Sequence, residues 1–370
     1  MTWENAAQAR NPEPIQGEAI QLDRVRFGII GCGVIAPWHA GAIGNVEEAE
    51  LVACCDTVED KAQKLAGDFG GLKVYTDYKQ LLASGDVDAV CVCVPSGLHG
   101  VVTMDAASAG KHVLCEKPAE ITLPKIDAMI RACREANVKL GVIFQRRTSP
   151  MWSKIKTAVD SGCLGTMVLG DAYLKYFRSQ EYYDSGDWRG TWELDGGGAL
   201  MNQGVHMVDI MRWIMGPIES VSAQCGHLAR DIQVEDTACA VIKYASGAFG
   251  ILQGTTSVCP GMDHRLEFHG QNGTILVDGE NISKWDVPGG DSGACKLNGN
   301  GGVDVKIGTA ATEPTAIATE GHQIQISDLC RAIREDRDPM VTGEEARKAV
   351  EVILAIYESA RTGLPVHLSK

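Results

Sequence analysis

The tetrapeptide Cys115-Glu116-Lys117-Pro118 sets a carboxylate beside an ammonium directly after the apolar run Lys111-His112-Val113-Leu114. If that run is a buried parallel strand, the pair stands at its carboxyl end, the edge of an open α/β sheet where ligands bind. Pro118 cannot continue a ladder, so the strand stops and Lys117 faces the crevice. An ammonium there can hold a hydroxyl oxygen and help to move its proton. A second chemical segment runs from Gly196-Gly197-Gly198 through Asn202, His206 and Asp209. The glycines imply close backbone approach, and a helix would carry the three polar residues, spaced i, i+4, i+7, on one face. A lone histidine on a helix is usually a satisfied core residue. The polar stripe and the glycines beside it favour chemistry, and a neutral imidazole with an ordinary pKa of ~6.5 suits a proton acceptor.

The elements that would position these groups begin with a strand over 24–30, followed by Gly31-Cys32-Gly33-Val34-Ile35-Ala36. This matches G-x-G-x-x-G/A: Gly31 for the tight turn, Gly33 for backbone approach to a pyrophosphate, a small residue at 36 for close helix packing. Val34 and Ile35 lie on the same phosphate-facing turn, and the helix that starts there offers unpaired N–H groups. A second strand over 50–55 ends in Asp56, 20 residues past Ala36, where a carboxylate would accept ribose hydroxyls. It would repel a 2′-phosphate, and no arginine follows in Thr57-Val58-Glu59, so NAD is favoured over NADP.

Strands and helices keep alternating to about residue 144, which predicts a doubly wound parallel sheet. Pro95, Ser96 and His99 close one strand at the cofactor edge, and Gln145-Arg146-Arg147 close another. Beyond about 148 the pattern becomes a helix over 151–161 and strands over 165–177, 218–229, 237–244, 248–258, 264–269 and 273–278, separated by turn signals. That predicts a large, mostly antiparallel open sheet with helices on one face, and a homodimer or homotetramer formed through the other. The expected organisation is an arm (1–23), a nucleotide-binding domain (24–147), and a substrate-binding and oligomerisation domain (148–370). Its C-terminal helices, about 323–362, should dock back on the first domain. Thr342-x-x-Glu345 reads as a capping box for the last of them, and the glycine-rich stretch 288–302 as an excursion.

Composition narrows the partners. With 370 residues, 45% of them hydrophobic and 22% charged, the chain reads as an ordinary globular protein. A net charge of −14 argues against nucleic acid or an anionic membrane, and against a highly anionic substrate unless a local cationic pocket exists. The thirteen cysteines have no framework spacing, several fall inside predicted strands, and Cys91-x-Cys93 has no second pair to make a zinc site. No metal is expected. The N-terminal segment lacks the basic and apolar regions of a secretory signal, and no apolar run approaches a bilayer span; a cytoplasmic location follows as the expectation.

Taken in order, Gly31-x-Gly33-x-x-Ala36, Pro95-Ser96-x-x-His99, Glu116-Lys117-Pro118 and Gly197-Gly198 through Gly204-Val205-His206-x-x-Asp209 resemble the motifs of the GFO/IDH/MocA oxidoreductases, from about residue 24 onward. The resemblance implies a Rossmann domain followed by an α/β domain with an open sheet. It implies NAD(P)-linked oxidation of sugar or cyclitol hydroxyls, with Lys117 and His206 as the catalytic pair. In that reading His206 is the base and Lys117 steadies the developing alkoxide, although the roles can be exchanged. Glu116 orients Lys117 or the nicotinamide ribose, Asn202, Asp209 and Arg147 contact substrate, and Thr57, Gln145 and Arg189 join the cofactor contacts. Inositol dehydrogenases of the family carry an aspartate four residues before the histidine, where this chain has Asn202. An amide orients a hydroxyl but cannot trade protons, which points toward sugars, glycosides or nucleotide sugars. Two rivals share the same residues: a glycosidase or lyase that keeps NAD bound and oxidises the sugar transiently, and a regulator that senses NAD and sugar without turnover.

Overall fold

The structure, a computed structural model, describes residues 24–289 and 319–368. The expected arm and most of the glycine-rich stretch lie outside these residues. Six strands form an all-parallel first sheet: β1 (Val25–Ile30), β2 (Ala49–Cys55), β3 (Lys73–Tyr75), β4 (Ala89–Val92), β5 (His112–Cys115) and β6 (Leu140–Val142), in the order β3-β2-β1-β4-β5-β6. The side chains of the central strands β1 and β4 are nearly all buried, because crossover helices cover both faces of such a sheet. The reversal of strand order between β1 and β4 opens a crevice at the carboxyl ends, which is where Gly31, Pro95 and Lys117 follow their strands.

The second sheet has eight strands: β7 (Met167–Lys175), β8 (Ile218–Gly226), β9 (Thr237–Tyr244), β10 (Phe249–Thr255), β11 (Arg265–Gly270), β12 (Thr274–Asp278), β13 (Asn281–Asp286) and β14 (Val366–His367). Their order is β13-β12-β11-β7-β10-β9-β8-β14, antiparallel apart from the central β7 and β10. Strict alternation along β9 buries Ala238, Ala240, Ile242 and Tyr244 and turns Cys239 and Val241 outward. The inner face packs on helices Val205–Met215 and Gly343–Thr362. The outer face leaves Leu169, Val241, Phe249 and Ile251 exposed.

Of the two C-terminal helices, Glu320–Glu335 packs on helix Ala36–Gly44 of the first domain. Helix Gly343–Thr362 lies mainly on β8 and helix Val205–Met215, touching the first domain through Leu123–Glu135 and β6. The capping box is half made. Thr342 accepts the Glu345 N–H at 3.2 Å, while the Glu345 carboxylate turns instead to Arg147 and Lys348. Among the described residues no helix is long and apolar enough to cross a membrane.

Candidate active site

Gly31 takes φ +95°, and a Cβ there would meet the Cys93 carbonyl at 2.6 Å, so only glycine fits the turn. Gly33 has open space where its Cβ would be, with Val34 exposed beside it. Asp56 is held at the end of β2 by the Cys32 and Val58 N–H groups, which donate to its two oxygens at 2.8 Å each. Each oxygen keeps a lone pair for a further donor. An empty cradle over Gly33, a helix N-terminus behind it and a carboxylate at its side fit a dinucleotide. Thr57 is exposed next to Asp56, and Pro95 and Ser96 form the turn after β4, fixed by the Gly97 N–H donating to the Leu194 carbonyl at 2.8 Å.

His99 is buried with both ring nitrogens bonded to main-chain carbonyls. The ring is 1% exposed, with Nδ1 2.8 Å from the Pro118 carbonyl and Nε2 2.9 Å from that of Val94. It ties the turn after β4 to the turn after β5, and has no nitrogen left for a ligand. Glu116 is likewise occupied by protein partners. One oxygen accepts the Lys117 N–H at 3.0 Å; the other lies 2.8 Å from His39 Nε2 and 3.5 Å from His322 Nε2. Burial opposes its charge, yet the two histidines hold this carboxyl well below its usual range. Glu116 therefore shapes the Lys117 turn, the first of its two expected roles.

Lys117 Nζ reaches across to the second domain and donates to the main-chain carbonyl of Asn202 at 3.0 Å. Burial pushes the ammonium down from its usual range, with Glu116 and Asp195 opposing and Arg189 and Arg178 assisting. His206 opens helix Val205–Met215 and packs edge-on against Phe144, ring centroids 5.6 Å apart; its Nδ1 is buried without a hydrogen-bond partner. Burial, then the Lys117 charge, hold the imidazole well below 6.5. The two groups thus lie within electrostatic reach of each other, and His206 is neutral at physiological pH.

The expected single polar helix face is broken. Residues Ala199–Gly204 form a wide π-type turn, so Asn202 precedes the regular helix and points elsewhere. Its Nδ2 donates to Asp195 at 2.5 Å and its Oδ1 accepts from Gln203 at 3.0 Å. The Arg147 Nε and Nη2 donate to the two Asp209 oxygens at 2.8 and 2.6 Å, with side-chain exposures of 6% and 1%. This buried pair ties the turn after β6 to the helix that carries His206. Gln145 is half-buried with an unpartnered Oε1, and Arg189 lies over the Tyr182 and Trp188 rings while donating to the Tyr182 hydroxyl at 2.6 Å.

Several site residues escaped the sequence reading. Asp195, 1% exposed, immediately precedes the glycine run, and burial raises its carboxyl to about 6. Glu235, raised by burial to about 7, accepts from the Gly198 and Leu200 N–H groups and the Tyr357 hydroxyl at 2.8–2.9 Å. The glycines pack closely on the protein itself: a Cβ on Gly196 would meet Ile121 at 2.3 Å, one on Gly197 the Tyr357 hydroxyl at 2.2 Å, and one on Gly198 the Glu235 carbonyl at 2.0 Å. Arg178 donates twice to Gln203 Oε1, and His39 and His322 flank Glu116. The available signals were an acid abutting a glycine run and a histidine three residues into the fingerprint helix.

Two family models match this chain: an oxidoreductase-family NAD-binding Rossmann fold over residues 25–144, and an oxidoreductase-family C-terminal α/β domain over 156–368. The WlbA dehydrogenase of Bordetella pertussis, solved with NADH and UDP-GlcNAcA, is 33% identical and superposes with a TM-score of 0.82 over 94% of this chain and 99% of that one. The myo-inositol 2-dehydrogenase of Thermotoga maritima is 32% identical over 69% of this chain and 75% of its own length. The scyllo-inositol 2-dehydrogenase (NAD(+)) of Bacillus subtilis is 27% identical over 93% and 96%. With both halves matched and a Rossmann crevice facing an open-sheet domain, the chain belongs to the GFO/IDH/MocA family of oxidoreductases.

Proposed function

We propose that the protein is an NAD-dependent dehydrogenase that oxidises a secondary hydroxyl of an acidic, nucleotide-linked sugar. The observation that carries the reading is Lys117: an ammonium from the nucleotide-binding half, held on the Asn202 carbonyl of the other half, within reach of a neutral imidazole. When bound, the nicotinamide supplies the acceptor for the carbinol's hydride. The turn Gly31-Cys32-Gly33 and the helix behind it would hold the pyrophosphate, and Asp56 the adenosine ribose. Lys117, its charge disfavoured by burial, takes the hydroxyl proton as the C–H bond breaks. His206 is the weaker candidate for base, because its conjugate acid would form buried and beside Lys117; it orients the reacting hydroxyl.

The acidic substrate replaces the expectation drawn from net charge. Arg178 and Arg189 act on Lys117 against Glu116 and Asp195, and Arg146 acts on His206, so positive charges stand within electrostatic reach of both groups in an otherwise acidic protein. The similarity to a dehydrogenase solved with UDP-GlcNAcA supports the same class. The test is a panel of UDP-GlcNAcA, uncharged nucleotide sugars, cyclitols and glycosides, followed by absorbance of reduced cofactor. UDP-GlcNAcA should lead in kcat/KM by about 100-fold, consistent with a site built around specific polar partners. Equal or better turnover of myo-inositol would refute the acidic substrate, and aglycone release without reduced cofactor would favour glycoside cleavage.

Asp56 supports NAD as the cofactor. Asp56→Ala should lower the NAD over NADP preference in kcat/KM at least about tenfold, since one repulsive charge and one ribose acceptor vanish together. An unchanged preference would show that Asp56 does not read the ribose. We further propose that a second copy covers the exposed Val241, Phe249 and Ile251 face of the open sheet. Val241→Glu with Phe249→Glu should then yield a smaller species by light scattering, and a monomeric wild type would refute this. Twelve described cysteines are free thiols, which fits a reducing cytoplasm.

A further inference from the structure

We propose that Asp195 is the positioning residue that supplies, through Asn202, the negative charge balancing Lys117. The inference rests on the reading of Lys117 as the proton acceptor and adds the group that tunes it. Four observations carry it. Asp195 is 1% exposed, and its oxygens are held by the Gly190 N–H at 2.9 Å and the Asn202 Nδ2 at 2.5 Å. Both donors are uncharged, so among the described residues no cation hydrogen-bonds this carboxylate. The main chain of the same Asn202 accepts from Lys117 Nζ at 3.0 Å. Gln203 donates both to Asn202 Oδ1 at 3.0 Å and to the Tyr182 hydroxyl at 2.9 Å, which fixes the amide with its donor toward Asp195.

A buried carboxylate without a cation on it is unfavourable unless a charge nearby compensates. The groups acting on Lys117 are Glu116 and Asp195, which favour its charge, and Arg189 and Arg178, which oppose it; His206 in turn feels the Lys117 charge. Glu116 is already engaged by His39 and His322. Among the described residues no cation hydrogen-bonds Asp195, and the charges that act on it from a distance are Arg189 and then Lys117. The field of Asp195 is therefore available when the Lys117 amine accepts the substrate proton, and the wide turn at 199–204 is what brings the Asn202 carbonyl and side chain between the two. The carboxylate sits behind the amide at 202 rather than in its place, so it cannot itself touch substrate and acts only through Lys117.

The test is the titration of Lys117, read without substrate from the pH dependence of acetic anhydride labelling of that residue, quantified by mass spectrometry on the full-length protein. Asp195→Asn removes the charge at constant size, and the labelling rate near pH 8 should rise roughly five- to tenfold as more of the amine is neutral. The exchange variant Asp195→Asn with Asn202→Asp returns a carboxylate beside Lys117 with donors and acceptors interchanged. It should restore the wild-type labelling profile. In turnover, the acid limb of kcat should move to lower pH in Asp195→Asn and return in the exchange variant, with NAD affinity unchanged throughout. An unmoved Lys117 titration in folded Asp195→Asn overturns the inference. Should that variant not fold, an exchange variant whose Lys117 titrates away from wild type overturns it equally. A wild type that oxidises none of the sugars would instead refute the proposed function and leave the labelling result standing.

Discussion

Lys117→Ala is expected to cut kcat by roughly 10³- to 10⁴-fold while NAD binds within about twofold of wild type. The upper part of that loss is what a positioned acid–base group contributes. The substitution also removes the hydrogen bond that Nζ makes to the Asn202 carbonyl across the two domains. That bond holds the reacting group in place, and small misplacements are costly in rate. NAD should be spared, because the residues fitted to it lie on the β1, β2 and β4 turns and the Lys117 main chain stays shaped by Glu116. Lys117→Arg separates charge from basicity: it keeps a cation of similar reach but cannot accept a proton. It should be nearly as slow as alanine if Lys117 is the base, and substantially faster if only its charge matters. Turnover of Lys117→Ala within tenfold of wild type would remove this residue from the mechanism.

The parallel sheet was legible because local signals agree. Short apolar strands, each ended by a turn residue and followed by a helix, leave few topologies once crossovers are right-handed. The place of Lys117 just past the end of β5 was legible for the same reason, since Pro118 stops the ladder there. What was not legible depended on tertiary partners or on local backbone geometry that spacing does not encode. Arg147 and Asp209, 62 residues apart, look like cleft residues until the fold brings them together. His99 carries a functional-looking spacing, but its two ring nitrogens are consumed by the carbonyls of Val94 and Pro118. Asp195 looks like a turn aspartate before glycines, and only burial distinguishes it. The i, i+4, i+7 stripe assumed a regular helix, and the wide turn at 199–204 moved Asn202 off it. Strand β13 is an exposed edge with little apolar signal, and β14 is two residues long.

Arg147→Ala should cost about 3–5 kcal/mol of folding stability, the largest loss expected of any single substitution here, because it leaves Asp209 buried with no cation against it. The geometry makes the pair strong only as a pair. Both Asp209 oxygens are met by one guanidinium fork, the third nitrogen reaches Glu345 at 3.2 Å, and the guanidinium lies 5.4 Å over the Trp213 ring. Replacing both partners with apolar residues of similar volume, Arg147→Met with Asp209→Leu, should therefore be far milder than the single change, within about 2 kcal/mol of wild type. The pH dependence follows from Asp209, whose carboxyl burial already raises while Arg147 opposes the shift. Without Arg147 the folded pKa rises further above the unfolded one. Stability is then full below the unfolded value and is lost as pH climbs through the folded one, so the deficit of Arg147→Ala should be smaller at pH 5 than at pH 8. Denaturant midpoints of the three proteins at both pH values measure this. A single mutant no worse than the double, or a deficit that shrinks as pH rises, would show that Arg147 and Asp209 meet something other than each other. The pair would then return to the cleft as substrate contacts, and His206, one turn away on the same helix, would lose its support.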